Sequence, residues 1–182
     1  MIPPIGDQAW DVALRAATYV GATSVVLSLI GFLRWVFVVP PLAHSYVSGD
    51  ATTQPAVGAA WTAQHQYGGA LLGEHLGQLL VIGWSVTLCV IILRTRVLPR
   101  WLGVTGLAVS ALYLLNQGDI LATAVPGFPV WDLAGLVGSA GWGVWVAALG
   151  VTVLLRPATA ARPASGRLSS AVTRPGDVRR LG

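Results

Sequence analysis

AATYVGATSVVLSLIGFL, running from Ala16 to Leu33, is an 18-residue stretch without a charged side chain. Arg34 interrupts it, and Trp35-Val36-Phe37-Val38-Val39 carries the apolar character on to Pro40-Pro41. As a helix, residues 16–39 would be about 36 Å long, enough to cross a hydrocarbon core of roughly 30 Å with some tilt. Neither proline can donate a helical hydrogen bond, so the pair is expected to end the segment. A cleaved signal peptide fits the start poorly, because Met1 to Asp11 holds two Asp and no basic residue.

Three further stretches follow the same pattern. With the first they define expected spans at about 14–39, 70–93, 101–124 and 131–155. Residues 41–54 read as a loop. Pro55 then opens a short helix, Ala56 to Tyr67, expected to lie near the interface. Pro126-Gly127-Phe128-Pro129 makes a turn before the last span. The whole chain agrees with this reading, being 54% apolar and only 10% charged, with a mean hydropathy of +0.69. Soluble domains carry about 25% charged residues, so this chain lacks the charge to keep its surface in water. The expectation is an all-α integral membrane four-helix bundle, residues 1–155, followed by a disordered basic tail, 156–182.

The net charge of +4 arises from 11 Arg with no Lys, a usage that resembles a high-GC bacterial coding bias. Six of the 11 lie in residues 156–182, and three more lie between Arg94 and Arg100. The connections 41–70 and 125–130 contain no Arg at all. The positive-inside rule therefore places the 94–100 loop and both termini in the cytoplasm of a multi-pass inner-membrane protein. Trp10, Trp35, Trp101 and Trp131 fall near span ends, where aromatic belts form. A nucleic-acid reading of the basic balance is not needed, and no nucleic-acid motif is present.

Depth, counted along each span, gathers the few polar groups. Arg34 lies roughly 8 Å below the outer end of the first span. Glu74 and His75 on the second span, and Asn116 and Gln117 on the third, fall at nearly that level. Gln78 is one turn below Glu74 on the same face, and Asp119 is one turn above Gln117. Ionisable groups at such depth turn inward and pair, and Arg34 with Glu74 is the expected ion pair. Two readings fit the layer: a packed network that fixes helix register, or an outward-facing pocket that binds a small ligand.

His44, His65 and His75 are weak candidates for a metal. Haem is poorly supported, because only His75 lies inside a span and there is no Cys-x-x-Cys-His. No cofactor is expected. Cys89 stands alone in an apolar block as a small buried hydrophobe. Gly69, Gly73 and Gly77 form a small-residue ridge that suits close packing within the bundle, or a homodimer or larger complex. No Ser-His-Asp spacing and no phosphate-binding Gly-rich loop occur, so no catalytic residue is assigned.

Leu33-Arg34-Trp35-Val36-Phe37-Val38-Val39-Pro40, His65-Gln66-Tyr67-Gly68-Gly69 and Leu72-Gly73-Glu74-His75-Leu76-Gly77-Gln78 resemble bacterial membrane proteins of the domain-of-unknown-function family 4386. The step Pro99-Arg100-Trp101-Leu102-Gly103 is similar as well. The resemblance covers roughly residues 12–155 and implies a small multi-span membrane protein, with no activity attached. The function expected is a small-ligand binding, sensor or accessory module. The alternatives are a structural subunit of a larger membrane complex, or an enzyme or haem or metal protein using His75.

Overall fold

A computed structural model describes residues 7–155, all of whose regular structure is helical. The expected tail, 156–182, lies outside the described residues. Helix α1 spans Asp7–Phe37, α2 Val39–Ser48 and α3 Thr53–Gln64. A π-helical segment, His65–Leu76, leads into α4, Gly77–Thr95. Then come α5, Arg100–Leu115, α6, Gln117–Ala122, and α7, Asp132–Leu154. Three helical stretches are long and apolar enough to cross a membrane: Ala9–Ser48, Thr53–Thr95 and Asp132–Leu154.

Pro40-Pro41 does not end the first helix, and residues 41–48 are not a loop. Both prolines occupy the first turn of α2, where the absent N–H groups have no partner to lose. Val38 N–H still donates to the Arg34 carbonyl at 2.9 Å, and Leu42 N–H to the Val38 carbonyl at 3.3 Å. The result is a nearly continuous rod of 40 residues, about 60 Å long. The helix expected near the interface is likewise the upper part of the second rod, 43 residues or about 64 Å. Because α7 has only 23 residues, about 34 Å, the α2–α3 hairpin overhangs the rest of the molecule. Its turn is closed by Asp50, whose Oδ1 accepts from the Thr52 and Thr53 N–H groups at 3.1 and 2.8 Å. Hydrogen bonding from Thr53 and Thr52 holds the Asp50 carboxyl down at about 2.

The third expected span is broken. α5 covers only 16 residues, and α6 resumes after a kink at Asn116. There Asn116 N–H donates to the Tyr113 carbonyl, and Asp119 N–H to the Asn116 carbonyl, each at 3.2 Å. These tightened three-residue turns redirect the helix so that Gln117 and Gly118 are buried.

Neighbours pack in the order α1, α4, α5, α7, with α1 also against the π-helical segment. Small residues set the α1 seam. Ala17, Gly21, Ser24, Ser28 and Gly31 recur every three or four positions and meet Trp84, Gly77 and Gly73 across it. A Cβ on Gly31 would lie 2.7 Å from Gly73 Cα, so the two backbones touch. The other packing centre joins α4, α5 and α7 around buried Cys89, Leu102 and Trp145. The Trp145 indole N–H donates to the Leu102 carbonyl at 2.8 Å, and that of Trp142 to Ser85 Oγ at 2.9 Å. The outward faces of α1 and α7 are apolar, with Phe32, Val36, Leu133, Leu136 and Val144 all exposed. Small and polar inside, large and apolar outside is the arrangement that lipid selects.

Candidate functional site

Arg34 continues the small-residue stripe of α1 by three positions, so its side chain enters the seam rather than facing outward. It is buried, with 7% of its surface exposed. Its Nη1 rests on Gly69 in the space a side chain would need. The π-helical segment contains Gly68, Gly69 and Gly73, and its wide turns sit opposite this guanidinium. Arg34 Nη2 donates to Glu74 Oε1 at 3.4 Å, the one ion pair among the described residues. The pair is asymmetric, since the Glu74 side chain is 51% exposed and that of Arg34 only 6%. Arg34 Nε and Nη1 have no hydrogen-bond partner among the described residues. A buried donor left unpaired costs about 1–3 kcal/mol, so this guanidinium is under-satisfied as the chain folds around it.

One helical face further on, the kink at Asn116 meets α4. Gln78 Oε1 accepts from Asn116 Nδ2 at 3.3 Å and also from Gln117 Nε2. Gln117 Oε1 in turn lies 2.6 Å from His75 Nδ1. With that amide oxygen as acceptor, Nδ1 is the protonated ring nitrogen in this arrangement. The structure therefore brings together Arg34 with Glu74, and His75 with Gln78, Asn116 and Gln117. Asp119 does not join them. Its Oδ1 is buried without a partner, and its Oδ2 faces Gly135 on α7.

The three histidines stay apart, and the described residues contain no group of three or more His, Cys, Asp or Glu that could hold a metal. His44 is exposed on α2, and His65 stacks on Trp61 with ring centres 5.6 Å apart. Trp61 meets Trp35 edge-on at 6.0 Å, and the Arg34 guanidinium lies 5.4 Å from the Trp35 ring. This aromatic ladder above the ion pair escaped the sequence reading. Its signal was weak: Trp61 and His65 are four apart on one helix, and nothing local points them at Trp35.

The Gly ridge is occupied within the chain. Gly69 holds Arg34, Gly73 meets Gly31, and Gly77 meets Ser28, with the Gly77 carbonyl accepting from Ser24 Oγ at 2.8 Å. A homodimer through this ridge would first have to undock α1.

Between α1 and the α5/α7 layer a cleft of about 480 Å³ opens onto the polar groups. Ser24 and Ser28 line one wall, Glu74 and Gln78 the floor, and Tyr113 and Trp142 the other wall. This size falls within the range of small-molecule sites, and the few convergent polar groups on apolar walls fit the same class.

An apolar helical exterior around a polar layer defines the class: an all-α membrane protein. A family model described as a domain of unknown function, DUF4386, matches residues 7–150, and the chain belongs to that family. Neither curated proteins nor solved structures offer a match. The family description names no activity, so the site has to be read from its own chemistry.

Proposed function

We propose that the chain is a four-span protein of a bacterial cytoplasmic membrane that binds a small hydrogen-bonding ligand from the outer side. The observation that carries this reading is the cleft. Glu74, half-exposed, and Gln78 meet at its floor, and Gln78 is locked there by Asn116 and Gln117. A ligand donor bound to Glu74 would be sensed through Gln78 and Gln117 by His75 and by the kink between α5 and α6. A sensor or accessory module fits this chain of contacts better than an enzyme, since among the described residues the His75 ring hydrogen-bonds to an amide, Gln117, and not to a hydroxyl or thiol.

The orientation rests on Arg94, Arg96 and Arg100 at one end of the rods and on the Arg-free connections at the other. Reporter fusions after Pro99 are expected to read cytoplasm, and fusions at Asp50 and Pro126 the outside. An external signal at Pro99 reverses the orientation.

Native mass measurement of the detergent-purified chain tests the ligand. A small adduct is expected on the wild-type chain and should be lost in Gln78→Leu without loss of the folded state. Bare mass under the mildest conditions, with Gln78→Leu strongly destabilised, would make the layer a packed network instead. A second reading, docking on a larger complex, is favoured by the overhanging α2–α3 hairpin. Its groove of about 280 Å³, between Leu42, Tyr46, Val57 and Trp61, has no charged lining residue and an almost entirely apolar surface. That reading requires a protein partner's mass in the same measurement.

A further inference from the structure

We propose that the flank of the α1 seam facing away from the Glu74 cleft is a site for an anionic amphiphile. The Arg34 guanidinium holds a phosphate or carboxylate oxygen, and an acyl chain lies along Ile30, Leu33 and Leu72. A cavity of about 380 Å³ runs along this flank, and Arg34 is its only charged lining residue. Gln64, Tyr67 and Gly68 close its upper end, and the rest is aliphatic or aromatic. Ile30, Leu33, Phe37 and Tyr67 are exposed, so the groove opens sideways, toward where lipid lies.

Three facts point to an oxyanion. Arg34 is nine-tenths buried, its Nε and Nη1 lack any acceptor among the described residues, and its one acceptor, Glu74, is reached only at 3.4 Å. A guanidinium has five donors in a planar fork that matches phosphate and carboxylate, so the folded chain leaves most of its capacity unused. The apolar lining commits the oxyanion to a lipid rather than to a free ion.

Depth agrees. His75 is level with Gln117, and Gly118 packs against the Trp131 ring at the start of α7. Arg34 therefore lies where the shortest apolar helix ends, which is headgroup level for a helix of that length. The inference rests on the membrane placement proposed above. The groove shares no lining residue with the Glu74 cleft, and the Arg34–Glu74 pair is the contact that joins the two.

The test uses the full chain in a neutral maltoside detergent, followed by native mass spectrometry and thermal unfolding. Dioleoyl phosphatidic acid, dioleoylglycerol and inorganic phosphate are titrated separately. One phosphatidic acid is expected to bind, at least about tenfold more tightly than dioleoylglycerol, as a charge-assisted contact requires. Inorganic phosphate alone is expected to leave the unfolding temperature unchanged. Arg34→Gln should lower phosphatidic acid affinity by about tenfold or more. Leu33→Trp fills the groove from an exposed position without touching the ion pair, so it keeps the test valid if Arg34→Gln folds poorly; it should lose binding to a similar degree. Gln78→Leu, in the other cleft, should retain it. The proposal is overturned if dioleoylglycerol or free phosphate binds as well as phosphatidic acid. It is also overturned if folded Leu33→Trp binds undiminished, or if Gln78→Leu abolishes binding.

Discussion

Glu74→Ala is expected to destabilise the protein by about 3–5 kcal/mol, whereas Arg34→Leu should cost clearly less. The difference comes from burial. Removing Glu74 leaves the Arg34 guanidinium, 6% exposed, as an uncompensated charge that cannot reach water without undocking α1. Removing Arg34 leaves a carboxylate that is already 51% exposed and can turn outward into the cleft. Glu74→Gln keeps an acceptor for Arg34 Nη2 and should fall between the wild type and Glu74→Ala. The double variant Arg34→Leu/Glu74→Ala should recover much of the Glu74→Ala loss, because both charges leave together. Reversible unfolding in detergent, followed by tryptophan fluorescence, measures all four. Strict additivity of the two single losses would show that the groups do not interact, and a larger loss for Arg34→Leu than for Glu74→Ala would reverse the asymmetry.

Gly31→Val or Gly73→Val carries the second large expected effect, a loss of about 3 kcal/mol, at the upper end for overpacking. A Cβ on Gly73 would lie 2.8 Å from Gly31 Cα, and the obstacle is backbone, which no rotamer change relieves. The seam can respond only by separating α1 from the π-helical segment, which also pulls Arg34 from Glu74. Gly143→Ala is the matched control. Its Cβ would meet nothing within 4 Å, and in a helix interior it should be neutral or stabilising by about 0.5–1 kcal/mol. The same unfolding measurement reads both. Equal behaviour of Gly73→Val and Gly143→Ala would mean that the seam is loose.

Several features are legible in the sequence alone. The apolar stretches located helices α1, α4 and α7, and linear counting along them placed Arg34 near Glu74 and His75 near Gln117. The ridge of Gly69, Gly73 and Gly77 was visible too, although its partner was not. That partner is the stripe of Ala17, Gly21, Ser24, Ser28 and Gly31, equally present in the sequence but hidden because small residues are common in membrane helices. Pro40-Pro41 misled for a different reason. Proline stops a helix only where an N–H is needed, and here the pair begins a new first turn. The kink at Asn116 and the π-helical segment could not have been read locally. Each faces a partner from another helix: the Gln78 side chain bonds that of Asn116, and the Arg34 guanidinium rests on Gly69.

The sequence by itself determined which segments suit lipid, which end carries the Arg residues, and the height of each polar group along its helix. It could do so because rise per residue is nearly constant, so height follows from counting. The tertiary structure alone decided azimuth, meaning which way each group faces once its height is set. Azimuth depends on how two helices roll against each other, and here that roll is fixed where Gly31 meets Gly73 backbone to backbone. With that contact in place, Arg34 faces the seam while Glu74 stays half in the open. Asp119, one turn from Gln117 by count, lies with Asn116 beside Gly135 of α7, and its buried Oδ1 finds no partner among the described residues.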